Sequence, residues 1–298
     1  MKDIKFNSLY KLLGYVSAML ITISILLLLF KGLNFGVDFK GGTLIEIRTT
    51  DNKINISSLR DSFNQMKLGD VTVKNFGNDN DFIVKFEKKN SSDPKFIENI
   101  KNKLSSSIGN NFSFRRVENV GPKVSKELLN SGIIAICVSL FAMLFYIWVR
   151  FEWQFSLGAI IALFHDVLLT LGIFSLLSLE INLSIVAAIL TIVGYSMNDT
   201  VVIFDRVREN LRKYLDLKIF DLTNQSINET LSRTIITSVT TLLALISIYI
   251  FGGEILRGFS FAMILGVILG TYSSIYIANP ILVYLKVSSK TLEKDKDK

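Results

Sequence analysis

The stretch "TIVGYSMNDTVVIFDR", Thr191 to Arg206, is apolar enough to lie in a membrane, yet it carries Asn198 and Asp199 side by side. A carboxylate at the centre of a bilayer costs about 2.5–3.5 kcal/mol even on insertion scales, so such a residue is a functional candidate that faces protein or a wet cavity. Thr191, Tyr195 and Asp199 recur every four residues, with Gly194 and Asn198 one position round. That spacing predicts a small and polar helix face suited to packing on protein. A hydrated carboxylate near the interface is the plainer alternative. A second polar line runs through Arg233, Thr237, Thr240, Ala244 and Ser247. Arg233 stands at the start of its run, so it fits an arginine snorkelling to the surface as well as a partner for Asp199. Asp166 lies mid-run on the line Gly158, Ala162, Asp166, Thr170, beside the only histidine, His165. A proton relay and a structural hydrogen bond fit Asp166 equally.

These side chains need elements to hold them. Half of the 298 residues are hydrophobic and the formal charge is +7. The apolar residues gather into runs near the roughly 20 residues that cross a bilayer. Six spans are expected: Leu12–Phe30, Leu128–Val149, Phe155–Leu177, Leu183–Phe204, Thr234–Ile250 and Phe259–Leu285. The first is too long for a signal peptide and lacks a small-x-small cleavage site, so it reads as an uncleaved anchor. In the sixth, Ala262, Gly266, Gly270 and Ser274 form a small-residue seam for helix packing. Lys and Arg number 15 in the N-tail, Arg150, the 205–233 loop and the 286–298 tail, against Arg257 alone in the opposite short loops. The positive-inside rule then puts both termini and the 205–233 loop in the cytoplasm of a multi-pass protein of the bacterial cytoplasmic membrane. The basic charge reports this topology and contact with anionic lipid; no basic stripe interleaved with aromatics points to nucleic acid. Cys137 is alone in the second span, which leaves no intrachain disulfide and no Cys/His metal cluster; it reads as a small buried hydrophobe.

Segment 31–127 is expected outside the membrane as one domain. "TLIEIRT" (43–49), "VTVKNFG" (71–77), "DFIVKFEKK" (81–89) and "NFSFRRVENV" (111–120) read as strands, with "NDND" as a turn. "ISSLRDSFNQM" (56–66) and "SDPKFIENIKNKLSSS" (92–107) read as helices, the second with Asp93 as cap and Pro94 in its first turn. The order β-α-β-β-α-β is ferredoxin-like. The tail "EKDKDK" reads as solvated and disordered. The link "NFGVDFKGG" (34–42) carries Gly36, Asp38, Gly41 and Gly42. It is no GxGxxG opening a helix, and no Walker motif is present, so nucleotide binding is not indicated.

"GVDFKGG", "RFEWQFSLGAIIALFHD" (150–166), "VGYSMNDTVVIFDRVREN" (193–210) and "SRTIITSVTTL" (232–242) together resemble the SecF family, the smaller subunits of the bacterial SecDF protein-export factor in the resistance-nodulation-division superfamily. The likeness covers essentially the whole chain. "GxDFxGG" is shared with the sister subunit SecD, whose extracytoplasmic region is much larger. The resemblance implies an accessory to preprotein export beside the SecYEG channel, driven by the proton motive force. It implies no cofactor and no enzymatic activity. Its partners would be a SecD-like subunit, SecYEG, YajC, translocating preprotein and the lipid bilayer. It gives Asp199 and Arg233 a role in proton passage and matches Asp166 without fixing its role. Two other readings are open: half of a proton-coupled small-molecule or lipid exporter, which needs a larger head, and an intramembrane aspartyl protease using Asp166 and Asp199. That protease class carries Gly-x-Gly-Asp where this chain has "YSMND".

Overall fold

Long apolar runs fold as helices because a helix pairs every backbone group within itself, which hydrocarbon demands. The structure, a computed structural model, describes residues 4–50, 54–76, 78–87, 94–289 and 291. They form two bodies, one of residues 1–34, 135–179 and 184–298, the other of residues 35–134 and 180–183. Among the described residues, six helices are long and apolar enough to cross a membrane. A 3-10 turn, Phe6–Leu9, leads into α1, Tyr10–Phe30.

The mixed body follows. It holds β1 (Asn34–Phe35), α2 (Val37–Lys40), β2 (Gly42–Thr49), α3 (Ile56–Gln65), β3 (Val71–Phe76), β4 (Asn78–Phe86), α4 (Pro94–Ile108) and β5 (Phe112–Val120). The main sheet runs β3-β4-β2-β5, and every neighbouring pair is antiparallel. That is the ferredoxin-like order expected from the sequence. Ile45, Ile47, Leu59, Phe63, Val84 and Leu104 fill its core, all at most 1% exposed. The α3 start is a capping box in which Asn55 accepts from Ser58 N and Ser58 Oγ serves the Asn55 backbone. Arg48 and Asp81 make a bidentate pair across β2 and β4 at 2.6 Å. Burial raises the Glu46 carboxyl above its usual range, with Arg116 pulling the other way. "NDND" is strand rather than turn, because β4 already begins at Asn78 and pairs with β3 there. The expected cap Asp93 and the tail "EKDKDK" lie outside the described residues.

The remaining spans are α5 (Pro122–Arg150), α6 (Trp153–Leu176), α7 (Leu183–Lys213), α8 (Ile219–Phe251) and α9 (Gly253–Ser273). Between α6 and α7 stands β6, Glu180–Ile181. The last span continues through one wide π-type turn, Ser274–Ala278, into α10, Asn279–Tyr284. Pro280 has no N–H to continue the α-pattern, and Asn279 Nδ2 closes the wide turn on the Ser274 carbonyl at 2.7 Å.

The expected 205–233 loop is mostly helix. α7 runs 31 residues and α8 33, about 46 and 50 Å at 1.5 Å per residue, against about 30 Å of hydrocarbon. Their extensions are zipped by polar contacts: Arg206 donates to Glu229 at 2.5 Å and to Glu209 at 2.6 Å. Asn210 donates to Glu229 at 2.7 Å and to Ser226 at 3.0 Å. The charge that suggests a loop in the sequence is the solvent-side zipper of two helices. Spans α6, α7 and the last are about half buried within the chain, whereas α5 is almost uncovered. Cys137, expected to be buried, is therefore exposed, on a helix that offers Ile134, Val138 and Phe141 to its surroundings.

Candidate functional site

The small-residue seam of α9 decides how closely two spans can approach. A Cβ on Gly266 would run into the Ile192 side chain, and one on Gly270 would lie 3.0 Å from Ser196 Cα. Four residues separate the glycines and four separate their partners, so α9 lies along α7 in register. That close contact presents Ser196 and Ser273 to α6. On α6, Gly158 faces the Ala278 carbonyl, 2.9 Å from where its Cβ would be. Asp166, two turns further along the same line, meets the serines.

Asp166 is fully buried. Its Oδ2 accepts from Ser196 Oγ at 2.6 Å and from Ser273 Oγ at 2.7 Å, and its Oδ1 lies 2.9 Å from His165 Nδ1. Two serine hydroxyls thus serve one carboxyl oxygen, and the imidazole reaches the other. The His165 ring stacks on Tyr272, centroids 5.8 Å apart and 24° between planes. Its Nε2 has no partner among the described residues. Leaving a buried polar atom unpaired costs about 1–3 kcal/mol.

Asp199 is held differently. It is 3% exposed and accepts from Thr271 Oγ1 at 3.3 Å. Thr271 in turn shares a 2.8 Å hydrogen bond with Ser238 Oγ of α8. Tyr195 donates to the Thr237 carbonyl at 3.2 Å, which pins α7 to α8 near this site. The proposed polar face divides here. Each step of four residues turns a helix about 40° past a full circle, so the line drifts: Asp199 points inward while Thr191, Gly194 and Asn198 are exposed. Arg233 is also exposed, as are Thr240 and Ser247, and Thr237 is half-buried. Among the described residues no ion pair joins Arg233 to Asp199. No hydrogen bond joins Asp166 to Asp199 either. A protease dyad whose carboxylates share a proton does not form between them.

In the mixed body, the glycine link is a stitched turn. Gly41 and Gly42 have φ of 78° and 126°, and a Cβ on Gly42 would stand 2.7 Å from the Phe86 carbonyl. Only glycine fits there. Gly36 N–H donates to the Ile181 carbonyl at 2.8 Å, and a Cβ on Gly36 would strike the Glu180 side chain. Asp38 Oδ2 accepts from Leu183 N at 3.0 Å, at the first residue of α7, the place where a carboxylate best serves a helix. Lys85 pairs with Glu180. Ser196, Ser273, Thr271, Ser238, Tyr272 and Glu180 were not singled out from the sequence. The seam was the available signal for the first three, since each lies beside it or opposite it.

A six-span helical body with two carboxylates held between helices by hydroxyls, together with a separate ferredoxin-like body, defines a polytopic membrane protein with buried acid groups in its spans. Residues 100–288 match the family "Protein export membrane protein SecD/SecF, C-terminal" and residues 26–52 match the "SecD/SecF GG Motif". The chain is 45% identical over 293 residues to the protein translocase subunit SecF of Rickettsia bellii, covering 98% of this chain and 96% of that one. It is 44% identical to the Cereibacter sphaeroides SecF over 288 residues, 94% and 88% of the two chains. The crystal structure of SecDF from Thermus thermophilus, titled a translocon-associated membrane protein, superposes with TM-score 0.86 at 33% identity over 95% of this chain. A second SecDF structure, in a super-membrane-facing form, gives TM-score 0.71 at 34% identity over 99%. The chain spans 39% and 40% of those two SecDF chains. The chain belongs to the SecF family of protein-export membrane proteins, and its role is that of an accessory membrane subunit in protein export.

Proposed function

We propose that the chain is the SecF half of a SecDF-type complex that uses the proton gradient to help preprotein across the membrane at the SecYEG channel. The observation that carries this reading is the state of Asp199. It is buried, it accepts from the Thr271 hydroxyl with Ser238 beside it, and exposed residues border it at Asn198, Gly194 and Arg233. A carboxylate so placed is finished by another chain's helix, and a SecD-like subunit is the partner of choice. Arg233, on the uncovered side, then approaches Asp199 or the partner's acid group as the site opens to one side or the other. Burial favours the protonated acid and a nearby guanidinium favours the charged one, so moving the arginine loads or releases a proton. A proton crossing 100 mV supplies about 2.3 kcal/mol, which is useful only if protonation biases two packings. Asp166 belongs to the same path one helix further in. The complex takes no cofactor, its termini lie in the cytoplasm, and YajC, preprotein and the bilayer complete its surroundings.

The test is reconstitution with a SecD-like chain and the channel in energised vesicles. Asp199→Asn and Arg233→Met are expected to assemble normally and to lose gradient-dependent stimulation of translocation. Full stimulation by either variant overturns the proton-path reading.

A further inference from the structure

His165 is the only histidine in the chain, and the path above leaves it unused. Its ring is fixed from two directions. Nδ1 lies 2.9 Å from Asp166 Oδ1, and the ring face lies on Tyr272. Tyr272 is pinned in turn: its hydroxyl donates to the Leu13 carbonyl at 3.0 Å and shares a 2.7 Å hydrogen bond with Ser17. Asp166 takes two serine hydroxyls on Oδ2. Opposite a carboxylate, the neutral ring carries its proton on Nδ1 and its lone pair on Nε2. Nε2 is buried and has no partner among the described residues. Buried polar atoms are nearly always satisfied, and one left open calls for a function or an occupant. A basic lone pair, aimed by a clamped ring and backed by a carboxylate, accepts a proton.

We infer that His165, backed by Asp166, is a second proton-holding residue of this chain. Nε2 takes up a proton to give an imidazolium paired with the Asp166 carboxylate, and returns to the neutral ring when it gives the proton up; no other bond changes. The inference rests on the proton-driven reading above and adds a residue to it. The titratable groups around His165 are Asp166 on its own helix and the Tyr272 phenol on α9, with Tyr276 of the wide turn packed against Tyr272 at 5.3 Å. α1 and α7 contribute the hydroxyls of Ser17 and Ser196 to the cluster. Among the described residues no Lys or Arg is paired with His165 or Asp166. Asp166 is thus the acidic group in contact with the ring, so the two residues act as a pair.

A lone histidine makes the test direct. With 15N-histidine in this chain alone, assembled with an unlabelled SecD-like partner, one imidazole is observed. The Nε2 signal is expected to pass from unprotonated to protonated as pH falls from about 8 to about 5, with Nδ1 carrying its proton throughout. An Nε2 whose protonation stays constant over that range overturns the inference. His165→Asn supplies an amide where Nδ1 donates but cannot hold a proton. Its expected result is normal assembly, proton flux into vesicles down by at least about tenfold, and a flattened pH profile. Wild-type flux and profile in that variant also overturn the inference, since they leave His165 a structural hydrogen bond. If the variant fails to assemble, the signal of the unmodified histidine decides. Asp199→Asn is measured alongside. Intact flux in Asp199→Asn sinks the proton-driven reading itself, whereas lost flux there with intact flux in His165→Asn sinks only the role of His165.

Discussion

Asp166 and Asp199 are both buried carboxylates in neighbouring spans, yet the chain treats them in opposite ways. Asp166 is fully enclosed and receives two serine hydroxyls and an imidazole from three positions on three helices. Asp199 receives one threonine hydroxyl at 3.3 Å and borders a face where Asn198, Gly194 and Arg233 are exposed. The first carboxylate has both oxygens partnered within the chain. The second is more sparsely held among the described residues. A buried charge is tolerated where its surroundings are arranged beforehand, and an incomplete arrangement marks where another molecule belongs.

The contrast can be broken by measuring stability of the isolated chain, for example by SDS titration from mixed micelles. The largest effect is expected at Asp166→Ala, which strands Ser196, Ser273 and His165 and costs about 3 kcal/mol or more. Asp199→Ala in the same assay should cost no more than about 1 kcal/mol; equal losses at the two positions would remove the distinction. Ser196→Ala and Ser273→Ala are each expected to cost about 1–2 kcal/mol, as donors to a charged acceptor. Their double mutant should depart from additivity because they share one oxygen. Thr271→Val should cost about 0.5–1 kcal/mol and change proton coupling far more than stability, a split read by running vesicle assays on the same protein. Arg233→Met should leave the isolated chain unchanged, since exposed side chains away from packed contacts move stability little. A clear loss of stability there would mean the arginine is already engaged within the chain.

The sequence made the number of spans, the strand order and the acid residues legible, because each has a local cause. Apolar run length marks a span, alternation marks a strand such as Thr43–Thr49, and a lone Asp stands out in Leu and Ile. It did not make the partners legible. Asp38 and Leu183 lie 145 positions apart, and Ser273 and Asp166 lie 107 apart; only the fold joins them. The helical extensions beyond Phe204 and before Thr234 were hidden for another reason. Charge density resembles a loop until Arg206, Asn210 and Glu229 are seen to answer one another across two helices. The polar face through Thr191 and Asp199 drifts round the helix, so within this chain Asp199 is buried while Thr191, Gly194 and Asn198 are exposed.

The short connection Glu180–Leu183 belongs to the ferredoxin-like body although 45 residues of helical body precede it in the chain. That body is therefore written in two pieces of sequence. It is not a cassette. A graft of residues 35–134 into another scaffold leaves behind the carbonyl that Gly36 bonds, the carboxylate that Lys85 pairs with, and the N–H that Asp38 caps. The smallest transplant that keeps these bonds carries both pieces, so the region moves intact only together with the turn between the third and fourth spans.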